Sequence, residues 1–305
     1  NSNVTVGTLN INNTNGYFLT GWGNLNMQVY SGSAEINVAA GTQYISMGKV
    51  NFLSNTTIDV AAGSNLVMAG TNGGVVVASG VAVTKTASTG TLTILGNLTV
   101  GAGGSISLAA APSIALANNL VVDDINGSGT VDLTNNKAIL HNASLATVEA
   151  QIASGAITSS LAATASHSNV TAVGSLTGSD FLKLNGSGAT FGGEAVVASD
   201  ILVGFTLAGD INLDGVVSPV DLSSINLSGS HWVDGDFNHD GVVTYADVAL
   251  ADAAYKLQSG SAADSFVSAD SLRFGAAFDA AYQAALLGGA PGIVPEPASL
   301  GLLAV

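Results

Sequence analysis

The stretch INVAAGTQYISMG, residues 36–48, aligns without a gap to IDVAAGSNLVMAG, residues 58–70, at a spacing of 22 residues. Each copy reads as strand, Ala-Ala-Gly turn, strand. Ile36 and Val38, then Ile58 and Val60, alternate with polar residues, the period of a strand with one buried face. After the turn the copies differ in phase by one residue: Ile45 and Met47 alternate in the first, Leu66 and Met68 in the second, and Ile45 aligns with Val67. The inward face of that strand is therefore left open. LTVGAGGSISL at 98–108 continues the series and VVVASGVAV at 75–83 fills the interval in weaker form, giving four related rungs. No unit of this size buries its apolar face alone, so stacking supplies the core. The expected fold is mainly β, a parallel β-solenoid (β-helix) over residues 1–140 at about 20 residues per turn. NVTVGTLNIN near the start reads as its first rung, or as a strand available to a neighbouring subunit. An antiparallel β-sandwich is the alternative, because short strands between glycine turns fit it too.

The rest of the composition agrees with a β-rich chain. Of 305 residues only 9% are charged, against roughly 25% in an average soluble domain, while 47% are hydrophobic. Such a chain folds, since disorder goes with low hydrophobicity and high charge. Twenty-one acids against 6 bases give a net charge of -15, which leaves no basic stripe for nucleic acid or an anionic membrane surface. Cysteine is absent, and with it disulfides, thiolate metal sites and cysteine nucleophiles. The N-terminus NSNVTVGTLN has no basic start followed by an apolar run, the expectation for a mature chain whose signal peptide has been removed. No apolar run approaches the roughly 20 residues that span a bilayer.

Near residue 140 the pattern changes. NASLATVEAQIASG places Leu145, Val148 and Ile152 on one helical face, with Gly155 as a stop. Residues 141–208 read as that short helix followed by an irregular β connector. Its clearest part is DILVGFTLAG, where Ile201, Val203, Phe205 and Leu207 alternate.

That strand runs into GDINLDGVVSPVD, 209–221, and a matching GDFNHDGVVTYAD follows 26 residues later at 235–247. Numbered from Asp210, the first loop has side-chain oxygens at positions 1, 3 and 5 (Asp210, Asn212, Asp214), Gly215 at 6, the Val216 carbonyl at 7, Ser218 at 9 and Asp221 at 12. The second repeats it with Asp236, Asn238, Asp240, Gly241, Val242, Thr244 and Asp247. This is the spacing of an EF-hand-like calcium loop. A hard cation taking six to eight oxygens is wrapped by ligands on alternate residues, a glycine allows the sharp turn, and position 12 supplies a bidentate carboxylate. Magnesium wants a stricter octahedron and zinc wants nitrogen or sulfur, so two Ca2+ ions are expected. A short helix should follow each loop, with Val220, Leu222, Ile225 and Leu227 in the first packing against Val248, Leu250, Ala254 and Leu257 in the second. His239, at position 4, is expected to face solvent.

Over residues 209–257 the sequence resembles a type I dockerin, a pair of loop–helix calcium motifs. In that family the partner, a cohesin, is read mainly through loop positions 10 and 11, where Ser-Thr is usual. Here those positions hold Pro219 and Val220, then Tyr245 and Ala246. The departure favours a calcium-stapled structural module over cohesin binding. Residues 258–293 read as a helical tail in which Phe274, Phe278, Tyr282 and Leu286 share a face ahead of Gly288, Gly289 and Pro291. The closing VPEPASLGLLAV, 294–305, resembles the PEP-CTERM sorting signal of secreted bacterial proteins, without the basic tail that ends it. That resemblance implies export and a place outside the cell or on its surface.

Catalytic equipment is not apparent. Residues 1–140 contain only Lys49, Lys85 and Lys137 as bases, and few acids, chiefly Glu35, Asp59 and the Asp123–Asp124 pair. Polysaccharide lyase chemistry wants more cations, and glycoside hydrolysis two facing carboxylates. His141, His167, His231 and His239 are scattered without ligand spacing. The sequence therefore points to a non-enzymatic, secreted structural protein that self-assembles into a matrix, layer or filament through strand edges or solenoid ends. A dockerin-type or glycan-binding adhesion module is the alternative, with a cohesin-like protein or an extracellular polysaccharide as partner.

Overall fold

The computed structural model describes residues 2–86, 89–111, 119–164 and 169–287. The segments that carry Gly288, Pro291 and the 294–305 motif, and also His167, lie outside the described residues. The chain forms two compact units. The first consists mainly of Asn1–Pro112, Leu116–Thr158 and Ser199–Leu202, the second of Ser159–Ala198 and Val203–Val305.

The first unit is a parallel β-solenoid whose turns have three sides. Strands Val4–Val6, Asn24–Met27, Lys49–Phe52 and Val75–Val77 form the first column, continued by the second halves of Thr91–Val100 and Asn119–Gly127. The second column is Thr8–Asn12, Ala34–Ala40, Thr56–Val60, Ala82–Lys85, Ser105–Leu108, Thr130–Asp132 and Ile157–Thr158. Tyr17–Thr20, Thr42–Met47, Asn65–Gly70, the first halves of the two long strands and Lys137–Leu140 make the third. Among the described residues every strand pair between Val4 and Thr158 is parallel, which excludes the antiparallel sandwich.

Stacked apolar side chains fill the interior. Leu25, Val50, Val75 and Leu98 are successive partners, each 0% exposed, and Ile125 follows at 4%. A turn in this column takes 21–27 residues, because it contains three strands and not two. Each buried aliphatic side chain contributes about 1.5–3 kcal/mol relative to exposure. Lys85 occupies an interior position of the same kind, between Ile58 and Leu108, and is 0% exposed. Burial lowers its ammonium pKa to about 8, opposed by the nearby Asp59 carboxylate.

The repeat that opened the sequence reading is in register before its turn and shifted after it. Ile36 pairs with Ile58, but Ile45 pairs with Met68. The second copy spends one more residue in its turn, where Ser64 N–H donates to the Ala61 carbonyl (3.0 Å) around Gly63 at φ 71°. The first copy turns on Gly41 alone, at φ 69°, where a Cβ would stand 2.7 Å from the Asn13 carbonyl oxygen. That extra residue restores the phase, so Ile45 and Met68 both point inward at 0% exposure. The other two rungs proposed from sequence belong to a different corner. Leu98 pairs with Val75 and Ile106 with Val83, across the turn from first to second column, whereas residues 36–48 and 58–70 turn from second to third. Glycine-turn chemistry is common to both corners, and this is what the sequence alignment detected. On the outside, asparagines bond from rung to rung: Asn37 to Asn10 (2.8 Å) and Asn51 to Asn26 (2.9 Å).

The two ends of the solenoid differ. At the N-terminal end Val4–Val6, Thr8–Asn12 and Tyr17–Thr20 each pair on one side only, among the described residues. At the other end helix α1, Leu145–Ala153, begins at Ser144, whose hydroxyl accepts from Thr147 N–H (3.2 Å), and buries Val148 as its spacing predicts. Gln151 Nε2 then donates to the Ile125 carbonyl (2.7 Å), satisfying an acceptor in the last strand of the first column.

In the second unit α2, Ser160–Thr164, leads to the strand Thr171–Thr177 and to α3, Gly178–Asn185. Thr177 caps α3 by accepting from Asp180 N–H (3.0 Å). The sequence reading assigned this segment to strands and loops; Thr177 followed three residues on by Asp180 was the missed start signal. The buried strand Ile201–Leu207 is shared between the units, its residues from Val203 onward belonging to the second. Four helices follow the loops: α4, Pro219–Ser224; α5, Tyr245–Ser259; α6, Asp264–Phe274; and α7, Ala276–Leu287. The expected pairing of the two post-loop helices holds for Leu222 and Ile225, which pack on the core that contains Val248 and Ala254, and fails for the rest of the first face. Val220 is 73% exposed and Leu227 36%, because α4 has only six residues; Leu222 and Ile225 alone reach the core. Helix α5 instead buries Val248, Ala249, Ala253 and Tyr255 in one core with Phe278, Tyr282 and Ala285 of α7. The face predicted for the tail is present, with Phe274, Phe278 and Tyr282 ring-stacked in series at 6.2 and 6.0 Å. No helix among the described residues is long and apolar enough to cross a membrane.

Candidate metal centre

Both acidic loops fold to the same hydrogen-bond pattern, as their shared spacing requires. In the first, Asp210 Oδ1 accepts from Asp214 N–H (3.1 Å) and Oδ2 from Gly215 N–H (2.8 Å). Asn212 Oδ1 accepts from Asp214 N–H (3.0 Å), and Asp214 Oδ1 from Val216 N–H (2.9 Å). The second loop repeats each bond: Asp236 from Asp240 (3.1 Å) and Gly241 (2.9 Å), Asn238 from Asp240 (2.9 Å), Asp240 from Val242 (3.0 Å). The coiling depends on left-handed backbone at position 4, Leu213 at φ 59° and His239 at φ 57°, and at position 6, Gly215 at 93° and Gly241 at 87°. Glycine adopts that conformation without steric cost, whereas a branched residue would be strained there.

Position 12 lies in the first turn of the exiting helix. Asp221 Oδ2 accepts from Ser218 N–H (2.9 Å) and hydroxyl (2.6 Å), and Asp247 Oδ2 from Thr244 N–H (2.9 Å) and hydroxyl (3.3 Å). Ser218 and Thr244, candidate ligands by spacing, thus stand as N-caps of α4 and α5 in reciprocal capping boxes. Each satisfies orphan helix N–H groups while holding the position-12 carboxylate toward its loop.

Carboxylates in the first loop are held against their own electrostatics. Asp210 is 0% exposed, and burial pushes its pKa up to about 7, with Asp214 and Asp221 adding repulsion against bonds from Thr206 and Gly215 that favour the anion. Asp221 and Asp247 are likewise raised, first by burial and then by a neighbouring acid, Asp214 in one case and Asp236 in the other. Among the described residues no group of three or more acidic or histidine side chains stands close enough to hold an ion as placed. The donor set nonetheless fits a hard divalent cation. It is all oxygen, it repeats in two loops, and it leaves a buried acid whose charge a cation would stabilise. Asp210, Asn212, Asp214, the Val216 carbonyl and Asp221 would hold one ion, and Asp236, Asn238, Asp240, the Val242 carbonyl and Asp247 the other.

Residues outside the loops anchor them. Trp232, 0% exposed, donates its indole N–H to the Asp210 carbonyl (2.8 Å). Thr206 donates its hydroxyl to Asp210 Oδ2. Asn185 donates to the Asn212 carbonyl (2.8 Å), and Gln258 bridges Val217 by accepting from its N–H (3.0 Å) and donating to its carbonyl (2.8 Å). His239 is not turned to solvent as expected. Its Nε2 lies 2.7 Å from the Val173 carbonyl and its ring stacks on Trp232 at 5.5 Å, so it ties the second loop to the strand Thr171–Thr177. Of these only Trp232, a lone tryptophan between the two loops, carried a sequence signal. In the first unit His141 Nδ1 meets the buried Asp200 at 2.8 Å, a pairing invisible at 59 residues' separation.

Comparison of the chain with protein-family models, with curated proteins and with solved structures gave no match.

Proposed function

We propose that the protein is a secreted, non-enzymatic structural component of an extracellular layer or matrix, self-associating through its solenoid and stapled by two calcium ions in its C-terminal module. The observation that carries the association is the N-terminal edge. Three strands there are unpaired on one side, and residues 1–34 contain no Asp, Glu, Lys or Arg. Exposed edges are ordinarily guarded by charge, lysine above all, and this one is not. Calcium is supported by the duplicated loop geometry and by the elevated pKa of Asp210. Export is supported by the likeness of VPEPASLGLLAV to a sorting signal.

The geometry constrains how copies join. Two N-terminal edges meeting about a twofold axis pair antiparallel and close as a dimer. Growth into a filament needs a second contact, since α1 covers part of the opposite end. Donating residues 3–12 to a neighbour would first require that rung to leave Asn24–Met27 and Ala34–Ala40 of its own chain. Sedimentation velocity of the calcium-loaded chain, beside a variant carrying Thr5→Lys and Asn10→Lys on the edge, tests the reading. Concentration-dependent association lost in the variant is expected; a wild type that stays monomeric at every concentration tested would exclude it.

One observation favours a second reading, a dockerin-type partner. Val220 and Tyr245, at the positions through which that family reads its cohesin, are 73% and 42% exposed. Their apolar surface would suit an apolar partner face, and loss of a captured protein on Val220→Asp with Tyr245→Asp would support it.

A further inference from the structure

Aromatic residues are distributed unevenly along the solenoid. Five of the six in residues 1–140 are Tyr17, Phe18, Trp22, Tyr30 and Tyr44, and residues 53–140 contain none. Only Phe52 is in the core. Phe18 is 63% exposed, Trp22 75% and Tyr30 fully exposed, so these rings contribute little to folding.

Phe18 and Tyr44 are register partners on the outer side of the third column, and their rings stack at 4.4 Å with 2° between planes. Two residues further along the same strands, about 7 Å away at strand rise, Thr20 and Ser46 are also partners. They line a cavity of about 440 Å3 with Gly21, Trp22 and Thr71. A stacked aromatic pair, its Phe18 ring largely exposed, therefore adjoins an open cavity walled by one indole and three hydroxyls. Thr71 spends its hydroxyl on the Met47 carbonyl (3.2 Å), whereas those of Thr20 and Ser46 make no such bond among the described residues.

From this arrangement we infer that the outer face of the first two rungs is a binding site for a neutral polysaccharide. A pyranose ring has an apolar face of C–H groups and a rim of hydroxyls. The first matches the exposed rings of Phe18 and Trp22, the second Thr20 and Ser46. No charged side chain lines the cavity and residues 1–34 carry none, so the lining itself offers no cation to a uronate or sulfate. The volume lies within the range of about 300–1,000 Å3 usual for small-ligand sites. A second copy of the chain is the less suitable occupant. An obligate protein contact wants a continuous apolar core, while this cavity sets a single indole among three hydroxyls and a glycine. The site is separate from the calcium loops and does not depend on edge association.

Affinity electrophoresis of the full chain, in native gels containing a mixed-linkage β-glucan, a xylan, a mannan or alginate, tests the assignment. Retardation by at least one neutral polymer and not by alginate is expected. Trp22→Ala and Phe18→Ala should each weaken it about tenfold, the effect of losing one aromatic contact, while Leu272→Ala, another exposed apolar residue, should leave it unchanged. Both ring variants should keep the wild-type circular dichroism. The lysine edge variant should keep its retardation even when its association is lost, so the two readings fail separately. No retardation in any neutral gel, retardation by alginate alone, or equal retardation of the ring variants would overturn the assignment. So would Trp22→Ala altering only the sedimentation coefficient, which would make the patch a contact between copies.

Discussion

The solenoid and the paired loops solve the same problem, holding a chain without disulfides, by opposite means. Residues 1–140 contain five acids and three lysines, and their order comes from side chains stacked in line such as Leu25, Val50, Val75 and Leu98. Residues 209–257 contain eight acids and one lysine in far fewer positions, and the loops turn their carboxylates onto backbone N–H groups. The first arrangement is complete within the protein. The second concentrates like charge and would gain from a bound cation, as the proposed calcium staple requires. Stability of the body should therefore ignore calcium, and that of the module should follow it.

The largest expected effect separates the two directly. With free calcium at 100 times the dissociation constant, each site adds about 2.7 kcal/mol, so chelation should cost the module about 5 kcal/mol. Calorimetry with and without chelator should show one transition falling and the solenoid transition unmoved. A single transition that shifts as a whole would break the comparison. Trp232→Ala should cost the module about 3–5 kcal/mol, since the ring is fully buried and its N–H holds the Asp210 carbonyl. Chemical denaturation monitored by circular dichroism would measure it, and the body should be unaffected. Leu98→Ala reverses the pattern, costing the solenoid about 2–5 kcal/mol with calcium affinity unchanged by titration calorimetry.

A smaller effect comes from Asp252 on α5. It is 1% exposed, neither carboxylate oxygen has a hydrogen-bond partner among the described residues, and burial, then Asp270, raises its pKa to about 7. The folded state therefore holds this proton where the unfolded chain has released it. The stability it confers is present in full below about pH 4 and is lost as pH rises through about 7. Between pH 5 and 8, at saturating calcium, wild-type module stability should fall by about 1–3 kcal/mol more than that of Asp252→Asn. Parallel pH profiles would exclude Asp252 as the source. Smallest of all, Val220→Ala at an exposed position should change stability by no more than about 0.5 kcal/mol.

The same contrast explains what the sequence disclosed. Each acidic loop is local: its oxygen-bearing residues, its glycine and its capping residue lie within thirteen residues, so its hydrogen-bond pattern follows from the sequence nearby. The solenoid was legible as a class, through alternation at Ile36, Val38, Ile58 and Val60, but not in register. One extra turn residue beside Gly63 and two corners with like chemistry disguised a three-sided turn as a shorter one. Contacts across long separations left no trace. His239 finds Val173 across 66 residues, Gln258 finds Val217 across 41, and nothing in their neighbourhoods announces it. Lys85 was similarly opaque, because a lysine in an alternating strand reads as an outward residue until the register places it between Ile58 and Leu108.

The chain contains two tryptophans, and they divide between the two units: Trp22, 75% exposed, in the first, and Trp232, fully buried, in the second. Their fluorescence should differ accordingly, with red-shifted, readily quenched emission from Trp22 and blue-shifted, protected emission from Trp232. Each unit thus carries its own intrinsic optical probe, and the two can be followed in the same cuvette without a label.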